Sequence, residues 1–178
     1  MDEKARSEVG AKMSKIIKMP VSTIKYAGFV DEKKVLNAIR AWFIDEGFEF
    51  REPTYKHKVG AEGLQIEVKM NGEKRVTSYI KFIIEMHMWI REIKEVPVAK
   101  DGVQQMAKEG KFWIETGGTL EMDWQNRFEG NKFLQALHDF YLKHIAFQKI
   151  QMKWWDTLYY KIYKLNSVIR NAIGFETA

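Results

Sequence analysis

The sequence lacks cysteine entirely, which excludes disulfide bonds and metal sites built on thiolates. It also lacks any uncharged apolar run near the roughly 20 residues that span a bilayer, and its first residues, MDEKARSEVGAK, lack the apolar segment of a signal peptide. We therefore expect a soluble, cytoplasmic protein without a transmembrane segment. Disorder is not expected, because 46% of the 178 residues are hydrophobic and 13% are aromatic, which is enough to fill the core of one domain.

The motifs of known catalytic and cofactor sites are missing as well. The sequence has no phosphate-binding loop, no dinucleotide fingerprint, no nucleophile elbow, no zinc-binding HExxH and no calcium loop. Among the four histidines, His138 and His144 are six residues apart on a predicted helix, about 240° around its axis, so they cannot chelate a metal together. We expect no metal site and no cofactor.

The net charge of +5 is concentrated at the two ends of the chain. Residues 1–30 hold six lysines and arginines against three acidic residues, and residues 131–178 hold seven against three. Residues 31–130 hold sixteen against eighteen. Basic ends on a nearly neutral middle suit an acidic partner, such as nucleic acid, anionic lipid or an acidic protein. They also suit a solvated lysine surface that keeps the protein soluble.

The N-terminal segment, residues 1–22, is basic and amphipathic. Apolar residues within Glu3–Met19 fall on one side of a predicted helix, which Pro20 ends. Because this apolar side is short and has no aromatic residue, we expect it to pack on its own domain or on a partner subunit rather than on a membrane surface.

A strand and a helix follow this segment. Thr23–Val30 alternates between apolar and polar residues, as a half-buried strand does. Apolar residues at helical spacing then predict a helix over 31–46, with Asp31 as its N-cap and Gly47 as its C-terminal stop.

The centre of the chain is a stretch with a period of two residues, Val76–Ile90. Its even-numbered positions are almost all apolar and its odd-numbered positions are mixed, which predicts a long central strand of an antiparallel sheet with one side in the core. Polar Glu92 and apolar Ile93 then reverse the alternation, so we predict a bulge near Arg91–Glu92. Asp101-Gly102 predicts a turn after this strand.

A hairpin is predicted to lead into the central strand. Leu64–Met70 alternates as a strand, and Asn71-Gly72 is a turn signal. Matching the apolar sides favours a three-residue loop over residues 70–72, with Ile66 opposite Val76 and Gly72 in the left-handed conformation of a bulge.

Further strands lie on both sides of this hairpin in the sequence. Weak strand patterns over 48–52 and 55–59 flank Pro53, which indicates a sheet edge or a bend. Lys111–Trp124 alternates throughout, so we predict one long strand with a kink at Gly117-Gly118 rather than a hairpin there.

The C-terminal part, 131–173, has no internal proline or glycine and predicts one long helix capped by Asn131. Such a helix would be about 60 Å long, more than a domain of this size is wide, so it bends near 142–149 or projects to contact another subunit. Its predicted apolar side comprises Leu134, Leu137, Tyr141, Ile145, Met152, Trp155, Tyr159, Ile162, Ile169 and Ile173.

These elements predict a single domain over 1–178 of the α+β class. A two-layer antiparallel sheet over 23–124 carries helices packed on one face, and the long helix over 131–173 completes the fold.

Two groups of residues are candidates for function. Glu85 and His87 share one side of the central strand and could transfer a proton if that side forms a pocket, although a structural ion pair is the commoner use of such a pair. The second group combines lysines, which neutralise phosphates, with aromatic side chains, which stack on bases or fill protein interfaces. It comprises Lys149, Lys153, Trp154, Tyr160, Lys161 and Lys164.

The leading hypothesis is therefore a non-enzymatic interaction or assembly protein that contacts a protein partner, or a second copy of itself, through the C-terminal helix and the N-terminal segment. One alternative is a nucleic-acid-binding module that uses the lysine and aromatic side chains of that helix. Another is an enzyme or small-ligand binder with a pocket near Glu85 and His87.

Overall fold

The computed structural model describes residues 15–29, 31–60, 63–100, 103–125, 127, 132–141 and 147–174. Its strands are β1 (Lys15–Lys18), β2 (Ser22–Phe29), β3 (Glu49–Gly60), β4 (Gly63–Arg75), β5 (Ile80–Lys100) and β6 (Val103–Met122). Its helices are α1 (Glu32–Asp45), α2 (Lys132–Tyr141) and α3 (Phe147–Ile173). The strands form one antiparallel sheet, so the predicted α+β class is confirmed.

The sheet is arranged around β5, the predicted central strand. The strand order is β1-β6-β5-β4-β3, and β2 also pairs with β6. β1 pairs with residues 119–122 of β6 and β2 pairs with residues 109–116, so the two short strands share one edge, separated by Met19, Pro20 and Val21. β3 forms the opposite edge, and its register shifts between Arg51 and Thr54, as the proline in this strand predicts.

The two faces of the sheet differ in what covers them. The even-numbered residues of β5 from Ile80 to Ile90 are all buried, as the alternation predicts, under α1 and α3. We call this side the helix-covered face. The odd-numbered residues point to the other side, which we call the open face. The alternation reverses at a bulge where Glu92 has a φ of 56° and Ile93 becomes buried, which confirms the predicted bulge.

Helix α1 begins and ends as its sequence predicts. The Asp31 carboxylate accepts a hydrogen bond from the backbone N–H of Lys34 at 3.0 Å, and Gly47 leaves the helix with a φ of 72°. The apolar side of the helix packs on the sheet through Val35, Leu36, Ile39, Trp42 and Phe43.

Helix α3 packs beside α1 on the same face. Its buried side chains are Leu158, Ile162, Leu165, Ile169 and Ile173. The predicted apolar side is therefore confirmed for Ile162, Ile169 and Ile173 and wrong for Met152 and Tyr159, which are exposed. α2 and α3 do not present one common side to the sheet, because Leu134 and Leu137 of α2 are exposed too. Residues 142–146, over which the long helix would be continuous, lie outside the described residues, as does Asn131.

The predicted turn at Asn71-Gly72 is wrong. β4 continues through both residues to Arg75, and Gly72 pairs with Ile84 of β5. The turn lies instead over residues 76–79, so Ile66 pairs with Ile90 rather than with Val76. Glycine is needed at position 72 for another reason: a Cβ there would lie 2.5 Å from Cδ1 of the Phe43 ring and closer still to Cε1.

The predicted N-terminal helix is wrong where it can be compared. Lys15–Lys18 is a strand, because its backbone pairs with the end of β6, and residues 1–14 lie outside the described residues. A single strand through Gly117-Gly118 is confirmed, but it runs from Val103 to Met122 instead of from Lys111 to Trp124. The Asp101-Gly102 turn lies outside the described residues, between Lys100 and Val103, which pair with each other.

Candidate functional site

The side of α3 that points away from the sheet carries exposed aromatic and charged side chains. Its midpoint is Tyr160, which is 65% exposed and lies opposite the buried leucines and isoleucines. We define the outer face of α3 by the exposed residues Met152, Lys153, Asp156, Tyr160, Tyr163 and Lys164. Large apolar and phenolic groups in such positions lie outside the core that the described residues form, and they are the residue types that protein interfaces favour.

Helix α2 adds further exposed apolar groups. Phe133, Leu134, Leu137 and Phe140 follow one another at spacings of one, three and three residues, which places them along one side of the helix. Phe133 is 73% exposed. This side of α2 is more apolar than an ordinary solvated helix surface and resembles the contacting side of an amphipathic helix.

Two of the predicted contact residues on α3 are engaged within the chain. The Lys161 ammonium donates a hydrogen bond to the Glu46 carboxylate after α1, and both side chains are largely covered. This bond holds the pKa of Glu46 below its usual value against the opposing effect of burial, and Lys164 and Lys74 contribute in the same direction. Lys161 therefore ties α3 to the end of α1.

Trp154 is also partly used by the fold. Its ring packs edge-on against Phe82 of β5, with the ring centroids 6.1 Å apart, and the side chain is only partly exposed. Lys153 Nζ lies 5.0 Å from the Trp154 ring centroid in a cation–π contact. Of the six residues predicted to contact a partner, Lys153, Tyr160 and Lys164 are thus exposed together. The side chain of Lys149 lies outside the described residues.

Glu85 and His87 lie on the same side of β5 but do not bond to each other in the structure. His87 Nε2 is 2.9 Å from Oε1 of Glu67 on β4, and its ring lies against Trp89, with 3.4 Å between centroids. The hydrogen bond with His87 lowers the pKa of Glu67. Glu85 is exposed and pairs in register with Asn71 and Gly117 of the neighbouring strands. The histidine is therefore held in a cross-strand pair with Glu67, and Glu85 is left as an exposed carboxylate.

The open face holds a group of side chains that the sequence reasoning did not assign to a site. Trp89 of β5 and Trp113 of β6 lie directly opposite each other in register. Lys25 of β2 follows on one side, with its Nζ 4.0 Å from the Trp113 ring centroid, and Glu67 and Lys56 follow on the other. The sequence did contain one signal for this group. Both tryptophans have odd numbers, and the even-numbered residues of these strands form the core, so both rings are predicted to lie on the other side of the sheet.

Within the part of the chain that the structure describes, no group of three or more histidine, aspartate or glutamate residues is placed to hold a metal ion. Over the same residues, no helix has both the length and the hydropathy needed to cross a membrane. No protein-family model matches this sequence, and no curated protein is significantly similar to it.

Proposed function

We propose that this protein is a non-enzymatic assembly protein, and that the outer face of α3 binds the same face of a second copy. The observation that carries the proposal is the exposure of Met152, Tyr160 and Tyr163 along a helix whose opposite side already fills the core. Two identical faces related by a twofold axis are the commonest arrangement of a homodimer.

The charges on α3 support an antiparallel pairing centred on Tyr160. Asp156 and Lys164 are exposed and lie four residues before and after it, about 6 Å along the axis in each direction. A twofold axis through Tyr160 therefore sets Asp156 of each copy opposite Lys164 of the other copy. The same arrangement sets the two Tyr160 rings against each other.

The size of this surface predicts a weak dimer. The 27 residues of α3 extend about 40 Å. A contacting strip about 10 Å wide along this helix would cover roughly 400 Å² on each copy, which is below the usual size of stable specific interfaces. We therefore expect dissociation constants in the micromolar range.

The other functions expected from the sequence have less support at these residues. A nucleic-acid surface on α3 would have fewer contact residues than the sequence predicts, because Lys161 is bonded to Glu46 and Trp154 packs on Phe82. Catalysis by Glu85 and His87 would need the two side chains to act together, whereas His87 is bonded to Glu67.

Sedimentation equilibrium from low micromolar to several hundred micromolar protein tests the proposal. We expect the wild-type chain to dimerise. Asp156→Lys or Lys164→Asp alone places two like-charge contacts in the interface and should weaken the dimer about tenfold, since each exposed pair contributes up to about 1 kcal/mol. The double variant Asp156→Lys/Lys164→Asp restores opposite charges at both contacts and should dimerise like the wild type.

Matched controls are available on α1. Asp45→Lys and Lys33→Asp reverse exposed charges of the same kind on a helix that the proposal does not involve, and they should leave the dimer unchanged. A chain that stays monomeric at the highest concentration, or a double variant that is no tighter than either single variant, would contradict this pairing.

A further inference from the structure

The open face combines two indole rings with lysine and arginine side chains. Across the strands, one row of paired residues reads Lys25, Trp113, Trp89, Glu67 and Lys56. Trp113 is 40% exposed, and the ring of Trp89 is partly exposed beside it. Each ring has one close neighbour: Lys25 Nζ lies 4.0 Å from the Trp113 centroid, and the centroid of the His87 ring lies 3.4 Å from that of Trp89. We call the two indole rings on adjacent strands the tryptophan platform, because planar ligands can stack on their exposed parts.

Several cations lie along one side of this platform. The next row carries Lys111, Arg91 and Lys58, and a shallow depression is lined by Lys56, Lys58 and Arg91 together with Trp89 and Glu67. Lys56, Lys58 and Arg91 are all exposed. None of the three has a carboxylate within salt-bridge distance among the residues that the structure describes.

The nearby carboxylates are already occupied. Glu67 is bonded to His87 at 2.9 Å and is 3.9 Å from Lys69. Glu92 neutralises Lys111 at 2.7 Å. The third, Glu115, accepts a hydrogen bond at 3.0 Å from the indole N–H of Trp113 and fixes that ring. Glu67 also lines the depression and interacts electrostatically with Lys58, which lowers the pKa of Glu67. One carboxylate against Lys56, Lys58 and Arg91 leaves the depression with a net positive charge that can meet an anionic ligand.

We propose that the open face binds single-stranded nucleic acid, with bases stacked on Trp113 and Trp89 and phosphates paired with Lys25, Lys56, Lys58 and Arg91. Single strands suit this surface because their bases are free to leave one another and stack on a protein ring. A duplex keeps its bases inside and offers the platform only phosphates. An acidic peptide would meet the cations but would leave the two indole rings without planar partners.

This inference is independent of the dimer proposed above, because it involves the opposite face of the sheet from α3. It also differs from a nucleic-acid surface on α3, which would use Lys153 and Lys164. The two surfaces can be distinguished with substitutions on each.

Fluorescence polarisation of labelled 12-nucleotide dT and U strands with the full chain tests the proposal. We expect binding at low salt, and with four phosphate contacts the logarithm of the association constant should fall with the logarithm of salt concentration at a slope of about −3. A duplex of the same length should bind more weakly. Tighter binding of either the DNA or the RNA strand supports the proposal and tells which sugar the surface prefers.

Substitutions separate stacking from charge. Trp113→Thr keeps a strand-forming residue at a partly exposed position and should weaken binding about five- to 150-fold with little change in the salt slope. Trp113→Tyr retains a ring and should retain most of the affinity. Lys56→Gln/Lys58→Gln removes two phosphate contacts and should make the salt slope about 1.4 less steep.

Matched controls lie outside the open face. Tyr55→Thr removes an aromatic side chain of similar exposure (43%) from a position that faces Glu32 of α1, and it should leave binding unchanged. Lys153→Gln/Lys164→Gln on α3 should leave it unchanged as well. Should a Trp113 variant fail to fold, as circular dichroism would reveal, the salt slope of Lys56→Gln/Lys58→Gln decides the test.

Three results would overturn the proposal. The first is the absence of binding to either strand at low salt. The second is equal weakening by the open-face lysine substitutions and the α3 lysine substitutions. The third is displacement of the bound strand by polyglutamate as effectively as by unlabelled U strand, since that would show a surface that recognises charge alone.

Discussion

Replacing Gly72 with alanine should destabilise the fold because the space above this glycine is filled by an aromatic ring. An added Cβ would lie 2.5 Å from Cδ1 of Phe43 and 3.3 Å from Cβ of Phe48. The Phe43 ring is fully buried and has other rings around it, with centroid separations of 5.3 Å to Trp42, 5.6 Å to Phe48 and 5.2 Å to Phe50. It can move away from the new methyl group only by displacing these neighbours.

The magnitude follows from the shift that is needed. A normal carbon–carbon contact is about 3.5 Å, so the ring must move by roughly 1 Å. Overpacking a core costs about 1–3 kcal/mol. We expect Gly72→Ala to cost about 3 kcal/mol before other effects, because the ring it meets is rigid. The lower entropy of the unfolded alanine chain offsets about 0.5–1 kcal/mol. We expect a net loss of about 2 kcal/mol in the free energy of unfolding.

Gly117→Ala is the matched control, since it changes a glycine in the neighbouring part of the same sheet. Its Cβ would find no atom closer than 3.9 Å, so only the unfolded-state effect remains and the variant should be neutral or up to about 1 kcal/mol more stable. Gly118→Ala should fall between the two, because its Cβ would press on the flexible ends of Ile162 and Met19.

Urea unfolding followed by circular dichroism measures all three variants, and in thermal unfolding the Gly72 and Gly117 variants should differ by about 5–10 °C in Tm. Phe43→Leu should make part of the space for the new methyl group available. The double variant Phe43→Leu/Gly72→Ala should therefore lose less unfolding free energy than the sum of the losses of the two single variants. Equal stability of the Gly72 and Gly117 variants, or strict additivity with Phe43→Leu, would refute the reasoning.

Substitutions at three further positions test local contacts. Asp31→Ala should cost about 1 kcal/mol of unfolding free energy through loss of the helix cap, whereas Asp31→Asn should change it by only a few tenths, both by urea unfolding. Glu46→Gln removes the negative charge that Lys161 meets, although the amide oxygen can still accept a hydrogen bond. Because the folded-state pKa of Glu46 is lowered, the stabilisation by this charge is present above the unfolded pKa and is lost as pH falls through the folded pKa. Wild type and variant should thus differ by up to about 1 kcal/mol near neutral pH and converge in acid, as pH-dependent unfolding would show. His87→Asn should raise the pKa of Glu67 towards its usual value, which NMR titration of the Glu67 carboxyl measures.

The burial of β5 could be predicted from sequence because it depends on a local period. Every even-numbered residue from Ile80 to Ile90 is in the core, and the break in the pattern marks the bulge at Glu92. The helix cap at Asp31 is likewise local, since the side chain and the N–H it accepts from are three residues apart. Features of this kind can be predicted because the residues that determine them are close together in the sequence.

The hairpin could not be predicted correctly because its decisive contacts are distant in sequence. Asn-Gly favours a tight turn. Glycine is instead needed at position 72 because the ring of Phe43, 29 residues earlier in the chain, fills the space that a side chain would occupy. The actual turn is held by Thr77, whose side-chain oxygen accepts hydrogen bonds from the N–H groups of Tyr79 and Ile80 at 3.1 and 2.9 Å. Threonine makes this contact less often than asparagine or aspartate, so its signal in the sequence is weak.

The tryptophan pair could not be predicted either, because no local pattern fixes the register between β5 and β6. Parity alone places Trp89 and Trp113 on the side of the sheet away from the core. Only the register between β5 and β6, set by pairs such as Met88 with Ile114, brings them opposite each other. In the same way, a helical pattern cannot show that Lys161 bonds to Glu46, because that bond depends on how α3 lies beside α1. Residues on one strand or helix can be grouped from sequence, whereas groups formed across elements require the fold.

The layering of the fold keeps the two proposed surfaces apart. The buried side of α3 rests on the helix-covered face, where Leu158 and Ile162 lie over Gly118. Tyr160 therefore points away from the sheet on one side of the molecule, and Trp113 points away from it on the other. A second copy bound at α3 leaves the tryptophan platform open, and a strand bound at the platform leaves Tyr160 uncovered. Asp156→Lys should then weaken the dimer without affecting a 12-nucleotide strand, and Trp113→Thr should do the reverse, so either proposal can fail while the other stands.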